Sequence, residues 1–173
     1  MSKSDNYPTP FLPTLMLSKK LTSPSGSPSG KIVTVAGKFD GYLATPPADK
    51  AHKDTFLLYL PDVFGIWPNS QLMADQFAAN GYQTLVLDLF NGDALKTPPG
   101  PDFDFPKWLT QGSSGGNPHT KEAIDPIVEA ALKEIKEKYG AKKIGALGYC
   151  FGAKVCASKS RLSVCLPSAL ADT

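Results

Sequence analysis

Cysteine and histidine are scarce in this chain, and neither sign of charge dominates. Three cysteines in 173 residues, spaced C-x5-C and then C-x8-C, match no disulfide framework, zinc site or Cys-x-x-Cys redox motif. Reduced thiols in a cytoplasmic setting are therefore expected. Eighteen Lys and Arg against sixteen Asp and Glu leave a formal charge of +2. The charges are interleaved, which excludes the one-signed patch of a nucleic-acid binder. No apolar run approaches the roughly 18–20 residues of a membrane span. The opening "MSKSDNYPTPFLPTLMLSKK" is interrupted by Pro8, Pro10 and Pro13, so no secretory leader and no membrane partner are expected. Neither a Gly-x-Gly-x-x-Gly fingerprint nor a Gly-Lys-Ser/Thr phosphate loop is present.

What the chain does contain is one ordinary domain's worth of apolar pattern. Residues 1–30 are rich in Pro and Ser, end in "SPSGSPSG", and read as a tail or peripheral wrap. The domain is then 31–173. Ile32, Val33 and Val35 suggest a strand, Phe39, Tyr42 and Leu43 its hairpin partner, and Gly37 and Gly41 mark turns. "TFLLYL" and "YQTLVLDLF" are near-continuous apolar runs, the mark of parallel strands covered on both faces. Between them "NSQLMADQFAANG" reads as a helix, capped by Asn69 or Ser70 and ended by Gly81. Residues 91–119, rich in Gly, Pro and Asp, read as a long irregular excursion of the kind that covers sites. "DPIVEAALKEIKEKYG" reads as a helix capped by Asp125 with Pro126 at its first position. "KKIGALGY" is a third buried strand and "FGAKVCAS" begins a helix. This alternation predicts an α/β fold with a mainly parallel sheet and helices on both faces. In such sheets ligands bind beyond the carboxyl ends of the strands, where Asp62, Asp88 and Cys150 all fall.

"GYCFG" has the form Gly-x-Cys-x-Gly, with an apolar strand directly before it and a helix directly after. A nucleophile elbow needs that context. Its flanking glycines must be small because strand and helix approach closely. A thiol at a helix start is favoured as thiolate, and the N–H of Phe151 is positioned to serve an oxyanion. The competing reading makes Cys150 a small core residue and the glycines mere packing spacers.

"GYCFGAK", together with "LYLPDVFGIWPNSQLMADQFAANGYQTLVLDLFNGD", resembles the dienelactone hydrolase (carboxymethylenebutenolidase) family, in particular its fungal members. The resemblance covers about residues 28–157. It implies an α/β-hydrolase fold that cleaves a small-molecule ester or lactone through a cysteine nucleophile, with no metal or organic cofactor. By position, Cys150 matches the nucleophile, and the backbone N–H groups of Val63 and Phe151 match the oxyanion hole. Asp62 falls where bacterial members have a glutamate contacting the resting thiol. Those members also carry an arginine that grips the substrate carboxylate; Asn91 and Gly92 stand in that region here.

The fold's order of nucleophile, acid and then histidine is not completed. No histidine follows Cys150, and the only later acid is Asp172. His52 and His119 both read as surface-loop residues, and Asp88 as a capping carboxylate. From about Ser158 the family pattern stops. The C-terminal part of the fold is expected to be missing, through truncation or alternative splicing. The strand before the elbow would then be an open edge, prone to self-association. The alternative function is that of a catalytically impaired homologue acting as a binding or interaction protein.

Overall fold

Three apolar runs become the parallel centre of a six-stranded sheet. The computed structural model describes residues 26–158 and 165–167; most of the Pro/Ser-rich segment 1–30 and of the chain after Ser158 lies outside the described residues. The strands are β1 (Lys31–Val35), β2 (Phe39–Ala44), β3 (Thr55–Leu60), β4 (Gln83–Leu87), β5 (Lys143–Gly148) and β6 (Cys165–Pro167). Their order across the sheet is β1-β2-β4-β3-β5-β6. β1 and β2 are antiparallel to their neighbours, and β4, β3, β5 and β6 run parallel.

The period-two geometry of strands explains why the central runs are apolar throughout. Phe56, Leu58, Leu60, Leu85 and Leu87 point to one face. There they meet Ile127, Val128, Ala131 and Ile135 of α3 (Lys121–Glu137) and Cys156 of α4 (Phe151–Ala157). Leu57, Tyr59, Val86 and Leu147 point to the other face, against Met73, Ala74 and Ala78 of α1 (Pro68–Ala79). Both faces are covered, as the sequence pattern predicts. Among the described residues no helix is long and apolar enough to cross a membrane.

Several expectations are corrected. Gly41 lies inside β2 rather than in a turn, where a Cβ would stand 2.8 Å from Leu85 Cδ1. The turn belongs to Ala36 and Gly37, both at positive φ. Helix α1 begins at Pro68, and Ser70 caps by accepting the Trp67 N–H at 3.1 Å and donating to the Gly65 carbonyl at 2.8 Å. Helix α3 begins a turn earlier than expected, after Thr120. Pro126 thus sits inside the helix, and Asp125 pairs with Lys121 at 2.6 Å instead of capping. Cys156 is disulfide-bonded, against the expectation of reduced thiols; linear spacing does not report which residues helix–strand packing brings together. The strand before the elbow is not an open edge, because β6 pairs with β5 through Ala146–Cys165, Leu147–Leu166 and Gly148–Pro167.

The excursion after β4 is not irregular either. It carries α2 (Phe105–Gln111), capped by Asp104, whose Oδ1 accepts the Lys107 N–H at 2.9 Å. Its Trp108 is buried against Phe90. The end of the Pro/Ser-rich segment that is described is tied to β2 and α1. Gly30 donates to the Tyr42 hydroxyl at 2.6 Å, and Ser29 donates to Asp75 at 2.7 Å. Burial and the Asp75 carboxylate push the Tyr42 hydroxyl up to about 12.

Candidate active site

The tight turn between β5 and α4 is dictated by what its glycines leave out. A Cβ on Gly148 would stand 2.7 Å from Ala153 Cα, and one on Gly152 would run into the carbonyls of Leu60 and Pro61. With both side chains absent, the turn packs directly on the end of β3. Tyr149 donates to the Leu60 carbonyl at 3.1 Å, and Gly152 donates to the Pro61 carbonyl at 3.0 Å. Cys150 sits at the apex with φ 50° and ψ −107°. That combination lies outside the left-handed helical well, and holding a non-glycine residue there costs on the order of 1–3 kcal/mol. The thiol is free and exposed, so the reading of Cys150 as a small core residue is not what the structure has.

Because the elbow is stitched to Leu60 and Pro61, it lies beside the next residues of the chain, Asp62 and Val63. Asp62 opens a turn: its Oδ1 accepts the Phe64 N–H at 2.9 Å, and its carbonyl accepts the Gly65 N–H at 3.0 Å. Burial pushes the Asp62 carboxyl up, and the Phe64 N–H pulls against that shift. Among the described residues no acceptor is found for the N–H of Val63 or of Phe151. Cys150, Phe151, Asp62 and Val63, separated by up to 89 positions, thus fall at the adjoining carboxyl ends of two paired strands.

Asp88, at the end of β4, has both oxygens committed. Oδ1 accepts from Phe90 at 2.9 Å and Oδ2 from Gly92 at 2.6 Å. It shapes the loop, as its sequence position suggests. His52 lies at the far end of the sheet, its N–H on the Gly81 carbonyl at 2.9 Å and its ring exposed against Tyr82.

His119 is not a surface residue; only 2% of it is exposed. Its Nε2 lies 2.9 Å from Asp93 Oδ2, and its ring packs 4.4 Å from Trp108 and edge-on to Phe90 at 5.2 Å. Phe90 in turn touches Phe151, the residue after Cys150. Sequence reasoning missed this cluster. The signal available was "DFDFPKW", an Asp cap followed by Pro and a large aromatic, which marks a short helix with a side chain to bury.

A model of the dienelactone hydrolase family matches residues 39–168, past Ser158, where the sequence pattern alone stops. A hydrolase from Talaromyces stipitatus, tropI, is 43% identical over 132 residues, covering 75% of this chain and 51% of that protein. Dienlactone hydrolase 1 of Gibberella moniliformis is 37% identical over 138 residues, covering 75% and 49%. The chain thus spans about half the length of these curated relatives. Among solved structures, a cold-adapted esterase from an Arctic intertidal metagenomic library superposes with a TM-score of 0.56 at 21% identity, over 80% of this chain and 58% of that one. That likeness is one of fold, and the fold is that of the α/β-hydrolases.

Proposed function

The chain belongs to the dienelactone hydrolase family, and on that premise we propose that it cleaves an ester or lactone through Cys150. The observation that carries the proposal is the exposed thiol held at φ 50° between a buried strand and a helix. In this reading the Cys150 thiolate attacks the carbonyl carbon, and the π pair moves onto oxygen. The N–H groups of Val63 and Phe151 stabilise that oxyanion. The C–O bond then breaks, the alkoxide takes up a proton, and a thioester remains. Water attacks the thioester to release the acid and restore the thiol. Asp62 beside the elbow fits a contact to the resting thiol. The proposed partner is a small molecule, and no metal or organic cofactor is proposed to take part.

A second reading is favoured by the two histidines. His119 Nε2 is engaged by Asp93, His52 lies at the far end of the sheet, and neither hydrogen-bonds Cys150. Loss of a triad base commonly lowers the rate by several orders of magnitude. On this reading the chain accepts an acyl group or binds a ligand without turnover. Turnover of p-nitrophenyl acetate by the wild type and its loss in Cys150→Ala support the first reading. A burst of one equivalent without turnover supports the second. Equal rates in wild type and Cys150→Ala, with no burst in either, contradict the first reading.

A further inference from the structure

The two backbone donors assigned to the oxyanion, Val63 and Phe151, follow different strands, yet both rest on one short stretch of chain, Phe90 to Leu95. Leu95 donates its N–H to the Val63 carbonyl at 2.9 Å. The turn that carries Val63 also sits directly on this stretch, since a Cβ on Gly65 would stand 2.9 Å from Ala94 Cβ. At the other end, the Phe90 ring lies 5.1 Å from the Phe151 ring, within the range of a packed aromatic pair. The Phe90 backbone is fixed on both sides. Its N–H donates to Asp88 Oδ1 at 2.9 Å, and its carbonyl accepts the Asp93 N–H at 3.1 Å and Asn117 Nδ2 at 3.0 Å.

Between those ends stands Asp93. Its Oδ2 lies 2.9 Å from His119 Nε2 and accepts the Ser113 N–H at 2.8 Å. An ionised carboxylate only accepts, so the His119 nitrogen is the donor. His119 is itself anchored: its backbone N–H donates to the Leu109 carbonyl at 2.7 Å, and its ring packs on Trp108. It therefore grips the stretch at two points, Asp93 by a hydrogen bond and Phe90 by the edge-on contact of the rings. One buried side chain thus holds both the residue that leans on Phe151 and the residue two places before the one that holds Val63.

We propose that Asp93 and His119 are a positioning pair: their hydrogen bond sets where the N–H groups of Val63 and Phe151 stand to receive the oxyanion. The proposal rests on the reading of Cys150 as nucleophile. Its test compares two reactions of the same thiol. Acetylation by p-nitrophenyl acetate passes through an oxyanion before p-nitrophenolate leaves, whereas alkylation by iodoacetamide displaces iodide from a saturated carbon and forms none. Both rates are read by mass spectrometry on the peptide containing Cys150. In His119→Leu acetylation should fall at least about ten-fold, because displaced donors serve the oxyanion poorly, while alkylation keeps its wild-type rate. His119→Gln, whose side-chain N–H can reach the same place, should restore most of the acetylation. Should His119→Leu not fold, the ratio of the two rates is read in Phe90→Leu, which keeps the core apolar but removes the ring contact, and it should fall there too. A ratio unchanged in the leucine variant, a fall shared by both reactions, or no recovery in His119→Gln overturns the positioning role and leaves the reading of Cys150 standing. A wild-type thiol that is alkylated but never acetylated overturns that reading, and the proposal with it.

Discussion

His119 Nε2 lies 2.9 Å from Asp93 Oδ2, joining the two ends of the segment between β4 and α3. The same Asp93 oxygen accepts the Ser113 N–H at 2.8 Å, and Asn117 donates to the Phe90 carbonyl at 3.0 Å. The segment is therefore folded back over Phe90, whose ring touches Phe151 beside the candidate nucleophile.

This arrangement gives a pH prediction. Burial works to raise the Asp93 carboxyl, but the hydrogen bonds from Ser113 and His119 outweigh it and hold the carboxyl below its usual range. An acid whose folded value is depressed contributes stability above its unfolded value, about 3.9, and loses it as the pH falls through the folded value. Thermal unfolding followed from pH 7 to the acid side of pH 4 should show Asp93→Asn less stable than wild type at pH 7, by about 1 kcal/mol. The gap should close in acid. A gap that does not depend on pH would mean that the carboxylate's charge is irrelevant.

Asp62 carries the opposite sign. Its carboxyl is raised by burial, so the protonated form is favoured in the fold. The associated stability is present below the unfolded value and lost as the pH rises through the folded one. Asp62→Asn keeps an oxygen for the Phe64 N–H and removes the charge. It should raise the midpoint at pH 7 by roughly 1–3 °C, a small effect because the group keeps part of its surface in solvent. No gain should be seen below about pH 4. A lower midpoint at pH 7 would show that the carboxylate has a stabilising partner.

The elbow should tolerate no added carbon. Gly152→Ala drives a Cβ into the Leu60 and Pro61 carbonyls, both of which belong to the backbone and cannot rotate away. Equilibrium denaturation should show a loss of about 3 kcal/mol. Gly116→Ala, at a positive-φ turn with open space around it, should cost about 1 kcal/mol or less. Similar losses for the two would mean that backbone conformation, rather than the approach of helix to strand, sets the requirement.

These contrasts show where sequence was informative. Phe56–Leu60 and Leu85–Leu87 are apolar at every position, so burial on both faces was legible, and with it the parallel sheet. The turn around Cys150 was legible because its two glycines have a steric meaning: a Cβ on either would meet backbone atoms. His119 was not. A histidine after "SSGGNP" looks solvated until Trp108 and Phe90 close over it, and no periodicity links it to Asp93. Strand β6 was hidden for a similar reason. It is three residues long, and its pairing with β5 is a tertiary fact rather than a local one. Pro126 was read as a helix start because proline suits the first position, yet it was tolerated one turn in.

The proposed chemistry turns on whether Cys150 forms a bond to an acyl group. Intact-mass and peptide-level mass spectrometry of the chain exposed to 2-naphthyl acetate tests that most directly, because it reads the covalent step without requiring turnover. The account predicts one acetyl group, a gain of about 42 Da, on the peptide containing Cys150, formed faster than on Cys150-containing peptide from the unfolded chain because of the oxyanion donors. Its loss in Cys150→Ala should be complete. Acetylation confined to lysines, with Cys150 unmodified, would contradict it.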